Sequence, residues 1–323
     1  MGSARMFRGR IPIWGVDMKR RSKPVSKMAR QEARAAKLFL IPAFLGLTFI
    51  TYLPLISVFI LSFFKWTAIM PQPVFVGLNN YIKLFTKDMF FWTSVKVTVV
   101  YAVLTVCISM VYSITVAMLL NRKVPARGFF RAIFYVPYII PAMAVYMSWA
   151  LLYNPDFGVL NALLVRFGLP KMAFLVDSKF IIPSLAVISV WASGNLIVIF
   201  LAGLGNVPRV YHEAAEIDGA SFWKRLIHIT FPCMTPIIFY NLLMSLIANM
   251  QVVVPSLIYA GSNRTTYPEY TFMSFLMYRT GFINNELSYA STISFIFFVI
   301  IGVFTLILFA TSKSWLFYEG GDK

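Results

Sequence analysis

The residues with the most evident chemistry lie in one connection, Gly205-Asn-Val-Pro-Arg-Val-Tyr-His-Glu-Ala-Ala-Glu-Ile-Asp-Gly219-Ala-Ser-Phe-Trp-Lys-Arg-Leu-Ile-His-Ile-Thr-Phe-Pro232. It holds three acidic residues, three basic residues and both histidines of the chain, His212 and His228. The spacing reads as two short helices. Pro208 suits a first helical position, Glu213 to Ile217 are good helix formers, and Gly219 after Asp218 stops the first helix. Ser221 can cap a second helix that ends near Pro232, where the chain turns into an apolar run. A polar connection this long and regular is suited to docking on another protein.

A second group can handle hydroxyl-rich ligands. Asn241, Ser245 and Asn249 stand at i, i+4 and i+8, one stripe of a helix. Each amide offers both a donor and an acceptor to sugar hydroxyls. The same residue types also make hydrogen bonds between apolar helices; both readings stand for Asn249, whereas Asn241 is expected to be structural. Ser193 and Asn195, beside Trp191 and Gly194, form another polar spot. Tyr138, Tyr146 and Trp149 offer aromatic faces for stacking on sugars, or for packing and interfacial anchoring. Pro137 and Pro141 are expected to kink the helix carrying them. Cys107 and Cys233 have no metal-ligand spacing and are expected as small buried hydrophobes.

Six apolar runs must position these groups: Leu38 to Phe64, Val97 to Leu120, Ala132 to Tyr153, Phe180 to Leu204, Cys233 to Tyr259 and Leu287 to Ser312, none containing Asp, Glu, Lys or Arg. A bilayer core of about 30 Å takes about 20 helical residues, and lipid offers the backbone no other hydrogen-bond partners. With 59% hydrophobic and 13% charged residues, the chain has too little polar surface for a water-soluble domain. The expected fold class is therefore all-α, a polytopic membrane protein with six transmembrane helices over 38–312, between tails 1–37 and 313–323. The first run is too long for a signal-peptide apolar region and lacks a small-residue cleavage site, so it reads as a retained helix.

Charge orients the spans. Of the net +17, most lies in the tail 1–37, with 11 basic and 2 acidic residues, and in the connection holding Arg122, Lys123, Arg127 and Arg131. These mark the cytoplasmic side and put both termini there. Ser26 to Lys37 reads as a basic interfacial helix drawn to anionic lipid headgroups. Nucleic-acid binding is excluded, since a basic groove would need more solvent-facing surface. The outer loops, about 25 to 30 residues each, are too short for a ligand-binding domain, so capture falls to a separate protein. Lys83, Lys87, Lys96, Arg166, Lys171 and Lys179 read either as a basic outer mouth that would steer an acidic glycan or as ordinary solvated and headgroup-contacting cations.

Glu213-Ala214-Ala215, Gly219, Ile229 and Phe231-Pro232, in this spacing, resemble the EAA loop of ABC-importer permeases, with Phe231 where the consensus has Leu. Phe75-Val-Gly-Leu-Asn-Asn-Tyr81, Arg131-Ala-Ile-Phe-Tyr-Val-Pro137 and Asn154-Pro-Asp-Phe-Gly-Val-Leu-Asn161 are similar to the maltose and glycerol-phosphate permease family, and the likeness covers about 38–312. The resemblance implies a type I importer permease fold. It implies that Glu213, Ala214, Ala215, Gly219, Ile229 and Pro232 couple to an ATPase, with Glu213 pairing to a basic residue there. It further implies a second homologous permease, two ATPase subunits, an extracytoplasmic solute-binding protein and a carbohydrate substrate, an oligosaccharide such as an alginate oligomer or else a glycerol-phosphate or polyol derivative. A midplane cavity near Asn195 and Asn249 is implied as the substrate path; Ser193, Asn241, Ser245 and Tyr146 are candidates for it by residue type and spacing alone.

Absences agree with that division of labour. There is no Gly-x-x-x-x-Gly-Lys-Ser/Thr phosphate loop, so no cofactor is expected on this chain and ATP with Mg belongs to the ATPase partners. No span carries a carboxylate for proton coupling. A stand-alone secondary carrier using backbone carbonyls is the rival reading.

Overall fold

The computed structural model describes residues 27–67, 69–70, 72–122, 125–260 and 268–317. The chain divides into a unit ending at Leu55 and a unit from Ile56 onward. In the first, α1 (Lys27–Gly46) passes through a π-helical stretch, Leu47–Tyr52, into α2 (Leu53–Leu61), which runs on into the second. The wider π turn lies just ahead of Pro54, whose ring would otherwise meet the carbonyl four residues back. The basic segment expected from Ser26 is helical from Lys27; Ser26 and the tail before it lie outside the described residues.

After the end of α2, the second unit holds a two-residue strand pair, β1 (Phe64–Lys65) and β2 (Val74–Phe75), a small departure from the all-α expectation. Then come α3 (Asn79–Thr86), α4 (Phe91–Asn121), α5 (Arg127–Ile139), α6 (Ala142–Leu152), α7 (Val159–Arg166), α8 (Ser178–Trp191) and α9 (Gly194–Gly205). They are followed by α10 (Arg209–Ile217), α11 (Phe222–Arg225), α12 (Phe231–Met250), α13 (Val254–Tyr259), α14 (Met273–Tyr278) and α15 (Leu287–Ser312). Among the described residues, four helices are long and apolar enough to cross a membrane, and two further helix pairs pass the same test bent; each pair counted as one span gives six.

Two of the six expected spans are bent pairs of helices; a kink is expected in the first of them from its prolines, and none in the second. The run Ala132 to Tyr153 is split, with α5 and α6 at 99°. A residue preceding proline is pushed out of the helical region, and Ile140, before Pro141, is extended at ψ 132°. Pro137, by contrast, sits inside α5 without ending it. The run Phe180 to Leu204 breaks at Ala192–Ser193, and α8 meets α9 at 51°. α4 also begins six residues before its expected start and includes Lys96.

α4 is the central element, packing on α8, α9 and α12. Ser94, Thr98, Ala102, Thr105, Ser109, Ser113 and Ala117, three or four residues apart, are all buried, so one face of small residues lets neighbouring backbones approach. The first core gathers Val106, Phe200, Leu201, Met234 and Ile293 around this face; the second gathers Tyr101, Tyr146, Ile181, Leu185, Tyr270 and Phe272. Cys107, expected buried, is exposed, and Cys233 is half-buried. Cys107 is absent from α4's buried face, and a thiol is apolar enough to face lipid.

Two of the sequence motifs are structural clips. In the first, Asn80 Nδ2 donates to the carbonyls of Ser62 at 2.9 Å and Phe64 at 2.7 Å, while Tyr81 Oη and Ser62 Oγ share a 2.6 Å bond. In the second, Asn154 Oδ1 accepts from the Asp156 and Phe157 amides, and buried Asn161 bonds Met172 through both its amide groups. These clips tie α3 and α7 to the connections beside them.

Candidate functional site

The segment between α9 and α12 is a helical hairpin built around one glycine. α10 ends with the Gly219 amide donating to the Glu216 carbonyl at 3.0 Å and the Ala220 amide to the Ala215 carbonyl at 2.8 Å. That pair of bonds requires a left-handed residue, and Gly219 has φ +71°. Nothing lies within 4 Å of where its Cβ would be, so backbone conformation alone selects glycine here. Arg225 on the second arm pairs with Glu216 on the first at 3.3 Å.

The predicted coupling residues divide by exposure. Glu213 and Ala214 are exposed, Ala215 is half-buried, and Ile229 packs against the first core. The Glu213 carboxylate has no hydrogen bond or ion pair among the described residues, in contrast to Glu216. Val210, Ile217 and Trp223 add exposed apolar surface to the same hairpin. An exposed carboxylate set among alanines and apolar side chains is a surface that can dock a basic partner.

Three local expectations need correction. Pro208 precedes the first helical residue rather than occupying it. Ser221 stands at the cap position, but its side chain makes no capping bond. The second arm does not end near Pro232: α11 passes through a π turn, Leu226–Thr230, directly into α12, giving a continuous helix from Phe222 to Met250. Pro232 falls in the first turn of α12, and the widened π turn accommodates its missing N–H and ring, as at Pro54. The hairpin is thus mechanically joined to the fifth span, which is interrupted only at Gln251–Val253.

The polar stripe proves more structural than its spacing implied. Asn241 is buried and donates to the Ile237 carbonyl at 2.8 Å, and Ser245 is buried too. Asn249 is half-buried; its Nδ2 donates to the Ser245 carbonyl at 2.8 Å. Ser193 is held at the α8–α9 break by the Val190 carbonyl at 2.6 Å and by Ser113 Oγ at 3.2 Å. Asn195 is half-buried and makes no hydrogen bond among the described residues. Tyr146 is buried; its hydroxyl meets Ser189 Oγ at 3.1 Å, Tyr101 reaches the same Ser189, and the Tyr259 hydroxyl donates to the Tyr146 carbonyl. Tyr138 faces outward.

An aromatic recess lies beside this cluster. Trp149 and Trp191, with ring centroids 5.7 Å apart, join Tyr112, Ile108, Val187 and Val190 around about 220 Å³. Spacing singled out neither Tyr112 nor the Tyr101–Ser189–Tyr146 bonds, because their partners come from three different helices. Among the cations expected to form a basic outer mouth, Lys83 pairs with Glu286 at 3.3 Å and lies over the Tyr289 ring, so its charge is neutralised. No group of three or more His, Cys, Asp or Glu residues that could hold a metal occurs among the described residues.

The family model described as "Binding-protein-dependent transport system inner membrane component" matches residues 109–317. A probable ABC transporter permease protein, YesP of Bacillus subtilis (strain 168), is 33% identical over 92% of this chain and 96% of its own length. The trehalose/maltose transport system permease protein MalF of Thermococcus litoralis is 28% identical over 87% of this chain and 95% of its own length. The crystal structure of a bacterial ABC transporter involved in the import of the acidic polysaccharide alginate contains a chain that matches with a TM-score of 0.76 at 23% identity, covering 90% of this chain and 99% of that one.

Proposed function

Because the chain belongs to the family of binding-protein-dependent transport system inner membrane components, we propose that it is a carbohydrate-importing permease driven by a separate ATPase through the Arg209–Thr230 hairpin. The observation that carries the coupling role is the contrast between two carboxylates one turn apart: Glu216 is spent on Arg225, and Glu213 is left for a partner. Its partner would be a basic residue in a cleft of the ATPase, which supplies ATP and Mg. Rotation of the hairpin would be transmitted through the continuous helix from Phe222 to Met250 into the transport path, an alternating-access movement of rigid elements.

A carbohydrate substrate is supported by the trehalose/maltose relative and by the aromatic recess at Trp149 and Trp191. Indole faces take the apolar face of a sugar ring, while Asn195 and Asn249 offer amide groups to its hydroxyls. The path would run between this chain and a second homologous permease, with substrate delivered by an extracytoplasmic binding protein. Both termini and the hairpin would face the cytoplasm, as the positive-inside rule places them. The test is uptake of labelled maltose, trehalose and alginate oligomers into proteoliposomes holding the permease pair, ATPase and binding protein. Uptake that needs ATP supports the reading; full-rate uptake by this chain alone would make it a stand-alone carrier.

A further inference from the structure

A cavity of about 360 Å³ opens between the last turns of α4 and the hairpin. Leu119, Leu204, Phe222 and Leu226 give it an apolar wall, and Asn121 and Arg122 stand at its edge. Among the described residues, no carboxylate lines it. The Arg122 guanidinium lies 5.5 Å from the Phe222 ring centroid, so the cation is held over the apolar wall rather than turned away. Arg127 adds a second cation nearby: its Nη2 donates to Asn121 Oδ1 at 3.4 Å, while its Nε has no acceptor among the described residues. Position matters as much as composition. Asn121 ends α4 and directly follows the charge-free run Val97 to Leu120, where hydrocarbon gives way to headgroups, and exposed Trp223 is of the type that settles at that level.

We propose that this cavity binds one anionic phospholipid of the surrounding bilayer, an acyl chain against Leu119, Leu204 and Phe222 and the phosphate beside Arg122. Basic pockets between membrane helices select anionic headgroups by charge, and the apolar wall supplies the affinity any lipid would share. The bound lipid bridges α4 and the hairpin, so the site would make the moving part of the permease sensitive to membrane composition. It does not depend on the sugar or on the ATPase, and its test reads neither.

Native mass spectrometry of the full-length chain in detergent, with added dioleoyl phosphatidylglycerol or dioleoyl phosphatidylcholine, measures retention of each lipid. The expected result is a phosphatidylglycerol preference of roughly fivefold or more, as one basic residue at a membrane surface provides. Arg122→Gln, at an exposed position, should lower the preference several-fold, leaving the part that Arg127 and the basic tail hold. Leu119→Trp, which fills the cavity, should lower retention of both lipids with Arg122 in place. Equal retention of the two lipids by the unmodified chain overturns the proposal, as does an undiminished preference in Arg122→Gln or undiminished retention in Leu119→Trp.

Discussion

Arg225 Nη1 donates to Glu216 Oε2 at 3.3 Å, closing the hairpin across the turn at Gly219. The carboxylate is largely exposed, and such a pair contributes only about 0–1 kcal/mol. The left-handed turn must therefore do more than the ion pair to set the angle between the arms. Gly219→Val should cost about 1–2 kcal/mol of local stability and reduce ATP-driven uptake severely, while Gly219→Asn, tolerated in left-handed backbone, should be milder. Arg225→Ala should be milder than Gly219→Val. Uptake in proteoliposomes at equal permease content ranks the three.

A Cβ on Gly194 would stand 2.4 Å from the Phe134 carbonyl oxygen and 2.9 Å from Tyr135 Cα. Both are backbone, so neither can swing aside, and α9 must move off α5. Gly194→Ala should destabilise by about 1–3 kcal/mol, seen as a lowered Tm in detergent. Gly302→Ala in α15, where no atom lies within 4 Å, should leave Tm unchanged or slightly raised.

Asn161 is 1% exposed and bonds the Met172 amide and carbonyl as well as the Asn154 carbonyl. Asn161→Ala strands buried polar groups at about 1–3 kcal/mol each. The thermal shift should be as large as that of Gly194→Ala, while ATP dependence of the remaining uptake should persist.

The six apolar runs and the hairpin were legible because each depends on local pattern: charge-free stretches of span length, and glycine where a helix must stop. The α5–α6 break was half legible, since proline announced a bend but not one of 99°. Pro232 misled because proline in a first helical turn permits continuation as readily as entry, and the choice was made by the preceding π turn. The stripe Asn241–Ser245–Asn249 shows the limit of spacing. Its period put three polar residues on one face, but Asn241 and Asn249 satisfy the carbonyls four residues back, which no period reveals.

Trp191 and Asn195 flank the α8–α9 break from opposite sides, Trp191 in the aromatic recess and Asn195 without a hydrogen bond among the described residues. Trp191→Ala and Asn195→Ala should each lower uptake of the transported sugar several-fold at unchanged membrane abundance. Asn241→Ala should instead lower abundance or Tm, because Asn241 is buried against its own helix. Uptake and immunoblot on the same membranes separate the two behaviours.

The measurement closest to the central claim compares ATP hydrolysis with sugar uptake in proteoliposomes carrying the assembled importer with Glu213→Ala and Gly219→Pro. The variant should insert and assemble, yet lose ATP-driven uptake to background, because the free carboxylate and the turn that presents it are both gone. Uptake at the unmodified rate would contradict the role of the hairpin as the link between ATPase and membrane spans.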